Sequence, residues 1–227
     1  MSAILDRLIS KIEAAPLDPV PSGNIYMEEV FEPQVYQEIL SNLPDVTSYN
    51  FLRGTENRLV LALYDETIER LDGHERVFWE AMYKILSGKP LMEALVNKFS
   101  DEVHARFGDD RPEMVMIPTF YRDFPGYFIK IHPDSHTKVA TMQFYLPRDN
   151  SQIHLGTSFH KQAGDDFVET KTNPFKPNSA YAFVRTDHSW HSVKKMAQTE
   201  ANRDTLALTI YIKGQEYKQE PRHSGYE

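Results

Sequence analysis

Two short clusters in this sequence carry side chains of the kind that bind metal ions. The first, Ile131-His132-Pro133-Asp134, ends a run with strand character, and residues two apart in an extended chain project to the same side. The second contains His191 and follows another strand-like run. Two imidazoles and one carboxylate on one face of an octahedral ion leave its other face open, and this ligand set suits iron(II) but also accepts zinc, nickel or manganese. The alternative is an ordinary turn and an unrelated polar histidine.

A third cluster, Arg203-Asp204-Thr205, begins another strand-like run. The alternation in this run predicts that Arg203 and Thr205 share one face with small residues, while leucine and isoleucine occupy the other face. A guanidinium beside a hydroxyl suits a carboxylate, which arginine binds through two parallel hydrogen bonds. The alternative is a surface ion pair at the start of a strand. Lys130 lies two positions before His132 and offers a second cation that could share or replace this anchor.

The rest of the chain predicts the elements that must position these clusters. Up to about Gly108, apolar residues recur with the helical period, so this part is predicted to be mainly helical. From about Pro112, short β-rich runs separated by turn residues predict a sandwich or barrel. These runs are Met114 to Tyr121, Tyr127 to His132, Val139 to Leu146, Ala180 to Arg185 and Thr205 to Ile212. The polar stretch from Pro147 to Pro177 is predicted to be a long loop that acts as a lid, with His154 and His160 in it.

The motifs HPD, SWHSV and RDT, in this order, resemble the H-x-D…H…R-x-S/T signature of the Fe(II)/2-oxoglutarate-dependent dioxygenases. The phrases FYLP and FVRTDHSWHSV resemble the prolyl-4-hydroxylase-like branch, and the similarity covers about residues 121–212. The resemblance implies that three residues are the iron ligands and the catalytic centre: His132, Asp134 and His191. It also implies that Arg203, with Thr205 beside it, binds the distal carboxylate of 2-oxoglutarate.

The same resemblance implies a fold that agrees with the β-rich runs. We expect a mainly β protein whose core is a double-stranded β-helix (a cupin-like jelly roll), preceded by an N-terminal helical region. A single domain is predicted over residues 1–227, with a helical support region at 1–110, a catalytic core at 111–213 and a polar tail at 214–227. Tyr121 and Gln143 lie on neighbouring strand-like runs and are further candidates for contacting the cosubstrate.

The implied reaction is the hydroxylation of an unactivated C–H bond, with O2 consumed and with succinate and CO2 released from 2-oxoglutarate. Desaturation and ring closure are related outcomes. A small molecule such as an amino acid, a sugar or a biosynthetic intermediate is the expected substrate, and a peptidyl side chain is the alternative. Two other interpretations stay open: a cupin-like metal enzyme that does not use 2-oxoglutarate, and a non-catalytic jelly-roll binding module.

Composition excludes several other kinds of protein. The 227-residue chain has no cysteine, which rules out disulfides, zinc–thiolate sites, iron–sulfur clusters and cysteine nucleophiles. Its formal charge of -8, without a basic block, argues against nucleic acid or an anionic membrane as the main partner. The N-terminal segment mixes charges into its apolar residues, unlike a signal peptide, so a cytoplasmic location is expected.

Overall fold

The computed structural model describes residues 2–52 and 57–216 of the chain. Over these residues the helices are α1 Ser2–Ala14, α2 Pro33–Ser41, α3 Asp65–Ile68, α4 Gly73–Leu86, α5 Lys89–Lys98 and α6 Ser100–Phe107, with a 3-10 turn at Val46–Ser48. The strands are β1 Asn24–Glu28, β2 Asn50–Phe51, β3 Arg58–Ala62, β4 Met114–Asp123, β5 Ile129–His132, β6 Lys138–Tyr145, β7 Thr157–Ala163, β8 Asp166–Thr172, β9 Ser179–Val184, β10 His191–Val193 and β11 Arg203–Ile212. Most of the predicted polar tail, from residue 217 onward, lies outside the described residues.

The strands form two antiparallel sheets that face each other. The larger sheet has the order β1-β9-β6-β11-β4-β3-β2, and the smaller has the order β5-β10-β7-β8. Aromatic side chains fill part of the space between them: Phe159 of the smaller sheet packs edge-on against Tyr181 and Phe183 of the larger one. This two-sheet arrangement confirms the predicted fold class, a mainly β jelly roll with flanking helices.

The two faces of the larger sheet have different partners, as the alternation in β11 predicts. Leu206, Leu208 and Ile210 are fully buried in one apolar core with residues of the helices, including Trp79 of α4. The other face of the same strand carries Arg203 and looks into the space between the sheets. The helices therefore cover the outer face of the larger sheet and leave its inner face for a cavity.

Two features differ from the sequence-based expectation. The mainly helical N-terminal part also supplies three strands, β1 to β3, to the larger sheet. The prediction of a long loop from Pro147 to Pro177 is wrong, because this stretch contains the β7–β8 hairpin. Strand β8 is the outermost strand of the smaller sheet and is exposed on most of its length, so it lacks the apolar alternation by which strands are recognised. Among the described helices, none is both long and apolar enough to cross a membrane.

Candidate functional site

Two histidines from different parts of the chain meet across neighbouring strands of the smaller sheet. His132 ends β5 and His191 begins β10, and the two residues are direct partners in the antiparallel register, with ring centroids 4.4 Å apart. Pro133 follows His132 and cannot donate a ladder hydrogen bond, so the chain leaves the sheet there. Asp134 then turns inward and is 7% exposed. One ligand atom from each of these three residues lies within 4.8 Å of the others.

Backbone carbonyls fix which ring nitrogen of each histidine faces the cavity. Nδ1 of His132 lies 2.8 Å from the carbonyl oxygen of Lys130, and Nδ1 of His191 lies 2.9 Å from that of Ser189. Because a carbonyl oxygen can only accept, each Nδ1 carries a proton, and in the neutral ring the lone pair is therefore on Nε2. Burial lowers the pKa of His191 to about 4, so this ring is neutral at physiological pH. Neutral imidazoles oriented in this way are the form that binds a metal ion.

The carboxylate of Asp134 is held by two neighbours on β6. Lys138 donates to Oδ1 at 2.7 Å, and Thr141 donates to Oδ2 at 3.1 Å. Burial by itself would raise the pKa of Asp134, but the Lys138 ammonium outweighs it and the pKa falls to about 2. Arg185 donates to the backbone carbonyl of Asp134 at 3.1 Å and holds the turn in place. The group is therefore an oriented carboxylate at any physiological pH.

Because His191 is buried and neutral, we expect the metal-free protein to lose stability against unfolding in acid. Its folded-state pKa of about 4 lies below the ordinary value of 6.5, so the unfolded chain takes up a proton first as the pH falls. Stability should be undiminished above about pH 6.5 and should fall by up to about 3 kcal/mol as the pH drops towards 4. Urea denaturation with a chelator present, compared with His191→Gln, measures this loss. An equally steep loss of stability in the variant would mean that groups other than His191 cause it. Asp134 does not contribute in this range, because its own effect falls at lower pH, between its ordinary pKa of 3.8 and about 2.

Arg203 lies in the same cavity and is fully buried. Its Nε donates to the carbonyl oxygen of Leu155 at 2.7 Å, and its Nη1 donates to Asp123 at 2.8 Å. The rings of Tyr145 and Phe175 flank the guanidinium. Within the described part of the chain, Nη2 has no hydrogen-bond partner. A buried donor without a partner is costly, so this nitrogen is a candidate contact for an anionic ligand.

A chain of hydrogen bonds leads from Thr205, which is fully buried and is not among the residues that line the cavity, to three residues that are: Gln143, Tyr181 and Thr157. Gln143 donates to the Thr205 hydroxyl at 2.7 Å and accepts from the Tyr181 hydroxyl at 2.5 Å. Thr157 in turn donates to Tyr181 at 2.9 Å. The Thr205 oxygen is thus engaged as an acceptor, which directs its proton elsewhere. Tyr121, the remaining candidate, lines the cavity directly opposite Thr205 in the β4–β11 register.

The cavity also contains residues that the sequence did not single out. Arg58, Tyr127 and Lys138 line it together with the predicted residues. Tyr127 follows a Pro-Gly turn in which Gly126 has a φ of 89°, the left-handed conformation that the third position of a type II turn requires. The Tyr127 hydroxyl is buried and, over the described residues, has no partner. A Pro-Gly dipeptide is a turn signal that could have identified it.

Three other predicted features lie apart from this group. Lys130 is exposed and does not line the cavity. His160 is not a lid residue, since it lies in β7, is 6% exposed and bonds the Ser192 hydroxyl at 2.8 Å. His154 is exposed and pairs with Glu200. None of these three joins the His132, Asp134 and His191 cluster, which is the single group of potential metal ligands among the described residues.

No family model matches the chain, and no curated protein has a matching sequence. Among solved structures, a prolyl-4-hydroxylase from Pseudomonas putida is 13% identical, with a TM-score of 0.53 over 92% of this chain and 100% of that one. AviO1 from Streptomyces viridochromogenes Tue57 is 12% identical, with a TM-score of 0.51 over 92% and 95%. A 2OG-Fe(II) oxygenase family oxidoreductase from Burkholderia pseudomallei is 13% identical, with a TM-score of 0.50 over 91% and 89%. The resemblance noted in the sequence is thus confirmed at the level of the fold: this chain has the jelly-roll fold of these solved structures.

Proposed function

We propose that this protein is an Fe(II)- and 2-oxoglutarate-dependent oxygenase that hydroxylates an unactivated C–H bond of a small molecule. The observation that carries the proposal is the combination of two features in one cavity. One is the His132, Asp134 and His191 cluster, and the other is the buried guanidinium of Arg203, one nitrogen of which has no partner among residues 2–52 and 57–216. The folds of the 2OG-Fe(II) oxygenase family oxidoreductase and of the prolyl-4-hydroxylase support the same assignment.

The donor set fits iron(II). Two Nε2 atoms with free lone pairs and one carboxylate supply three ligands from one side, which leaves coordination positions for a cosubstrate and O2. Lys138 and Thr141 hold the carboxylate and so act as the outer hydrogen-bond partners that orient a metal ligand.

The opposite part of the cavity fits the distal carboxylate of 2-oxoglutarate. Arg203 Nη2 and the Tyr127 hydroxyl are both buried donors without a partner in the described chain, and both belong to residues that line this cavity. Thr205 does not line the cavity itself but is connected to it through Gln143 and Tyr181, which do. A carboxylate would satisfy the Arg203 and Tyr127 donors through charge-assisted hydrogen bonds.

When bound, iron(II) and 2-oxoglutarate would supply the oxidising chemistry, in which 2-oxoglutarate and O2 yield succinate and CO2 and one oxygen atom enters the substrate. The protein's own part is to hold the metal ion and to exclude water. His132 and His191 bind through fixed nitrogens, and Asp134 stays ionised. Phe159 and Phe183 pack against the His191 ring and keep that side of the site dry. A site closed to water favours such chemistry because side reactions with solvent are suppressed.

The depth of the site supports a small substrate. Asp134 and His191 are each more than nine-tenths buried, so a reacting carbon must enter the space between the sheets. An amino acid, a sugar or a biosynthetic intermediate can do so, and a single side chain of a peptide is the second candidate, favoured by the fold similarity to a prolyl-4-hydroxylase. A cytoplasmic location stays part of the proposal.

The test is substrate-stimulated turnover of 2-oxoglutarate. The protein is loaded with iron(II) under argon, mixed with 2-oxoglutarate and O2, and screened against separate libraries of small molecules and proline-containing peptides. We expect succinate release to rise with a small molecule and to depend on iron(II). Stimulation by peptides alone would favour the second candidate. Metal binding without consumption of 2-oxoglutarate under any condition would favour a cupin-like metal enzyme instead.

A further inference from the structure

One buried anion in the cavity is shared by two cations. Asp123, at the end of β4, is fully buried and accepts hydrogen bonds from both Arg203 and Arg58. Arg58 approaches from β3, through Nε at 2.5 Å and Nη2 at 2.9 Å. In the register, both arginines lie directly opposite Asp123, one on each side. Among the described residues, these two guanidiniums and one carboxylate give this end of the cavity one more cation than anion.

Arg58 lines the cavity and is held there by two aromatic rings as well as by Asp123. Its guanidinium carbon lies 4.6 Å from the centre of the Tyr121 ring and 4.1 Å from that of Tyr127. The two rings and Asp123 together fix the plane of the group. Over the described residues, no hydrogen bond engages Nη1, and Arg58 lines the same cavity as Arg203. Its side chain is only 11% exposed, so water does little to compensate the charge.

We propose that Arg58 is a second guanidinium of the site for the distal carboxylate, held there by Asp123 together with Arg203. This inference rests on the proposed function and adds a specificity residue to it. An uncompensated charge in a buried site is unfavourable until an anion arrives, so the second cation favours a cosubstrate with a distal carboxylate over one without. Strand β3 thus supplies a binding residue from the N-terminal region.

The experiment compares two 2-oxo acids of equal chain length. The full-length protein, loaded with manganese(II) so that no turnover occurs, is titrated calorimetrically with 2-oxoglutarate and with 2-oxopentanoate, which lacks the distal carboxylate. Arg58→Gln should weaken the binding of 2-oxoglutarate by roughly tenfold to a hundredfold, as expected for the loss of a hydrogen bond to a charged group. Binding of 2-oxopentanoate should change by less than about threefold, because it offers that group no partner.

Arg122 provides a matched control. It pairs with Asp204 between β4 and β11, through Nε at 2.7 Å and Nη2 at 3.1 Å. Arg122 is next to Asp123 in β4, so its side chain lies on the other face of the sheet. Arg122→Gln should leave both titrations unchanged. Arg58→Lys keeps the positive charge but lacks the planar guanidinium, so it should recover part of the affinity for 2-oxoglutarate. This variant tests the role of Arg58 even if Arg58→Gln folds poorly.

The outcomes separate this inference from the function on which it rests. A wild-type protein that binds 2-oxoglutarate, with Arg58→Gln and Arg58→Lys both binding it equally well, would overturn the role of Arg58 alone. Equal weakening of both 2-oxo acids would also overturn it, since the effect would then not involve the distal carboxylate. A wild-type protein that binds neither acid would overturn the proposed function and this inference with it.

Discussion

Replacing any one of His132, Asp134 and His191 by alanine is expected to lower the affinity for iron(II) by more than about a hundredfold at neutral pH. Loss of an outer hydrogen-bond partner of a metal ligand typically costs about 10- to 100-fold, and loss of the ligand itself must cost more. With three protein ligands, each variant also loses the facial geometry that leaves the other positions open. Anaerobic iron titration of each variant measures the effect.

Two further variants make this test specific. His160 is also a buried histidine of the smaller sheet, but it bonds Ser192 and lies outside the cluster, so His160→Ala should bind iron(II) almost as wild type does. Thr141→Val removes a hydrogen bond to Asp134 and should give an intermediate loss of about 10- to 100-fold. Wild-type affinity in two of the three alanine variants would refute the triad.

The variant Asp134→Gly tests metal binding and hydroxylation separately. The variant keeps both histidines and opens one coordination position, so residual metal binding is expected while hydroxylation is lost. Succinate release and product analysis under saturating iron(II) give the result. Full hydroxylation by this variant would mean that another carboxylate is the ligand.

Local chemistry made much of the metal cluster predictable. His132 and Asp134 are two apart at a strand end, and this spacing predicted that both side chains share one side. In the structure the strand ends at His132, and Asp134 reaches the same site through the turn after Pro133. The same period of two put Arg203 and the leucines of β11 on opposite faces of the strand, and the structure has Arg203 at the cavity and the leucines in the core with the helices. The pairing of His132 with His191 is not local, and the order of motifs in the resembling family supplied it. The roles of these residues as ligands stay predictions.

The remaining residues of the cavity could not be read from the sequence because their signals are long-range. Arg58 is held by Asp123, which is 65 positions away, and nothing beside it marks it as a site residue. Lys138 lies four positions after Asp134, but it precedes the strand predicted from Val139, so the alternation in that strand assigned it no face. Strand β8 escaped prediction because an exposed outer strand buries no apolar face. In each case tertiary packing, and not local pattern, decides the role.

The second large effect concerns Arg203, whose replacement by alanine should raise the apparent KM for 2-oxoglutarate steeply while leaving iron(II) affinity nearly unchanged. A charge-assisted guanidinium–carboxylate contact in a desolvated site costs about 2–5 kcal/mol to lose. At about 1.4 kcal/mol for each tenfold change, the effect is on the order of 30-fold to several thousandfold. Steady-state kinetics with varied 2-oxoglutarate, together with the iron titration, measures both quantities.

The structure sharpens this test in two ways. Arg203 is fully buried and ion-paired with Asp123, so its loss also affects folding, and the melting temperature of each variant must be measured beside its KM. Arg203→Lys retains the charge and should recover only part of the affinity, because an ammonium cannot both bond Leu155 and present a free nitrogen as the fork does.

A Lys130 variant tests which of two cations, Lys130 or Arg203, binds the distal carboxylate. Because Lys130 is exposed and does not line the cavity, Lys130→Ala should change the KM for 2-oxoglutarate by less than about threefold, a typical result for a solvated surface charge. A large rise in KM for Lys130→Ala with little change for Arg203→Ala would place the carboxylate anchor on β5 and refute the assignment to β11. If neither replacement alters the KM, the distal carboxylate is bound elsewhere, and Nη2 of Arg203, which has no partner in the described part of the chain, would need another ligand to explain it.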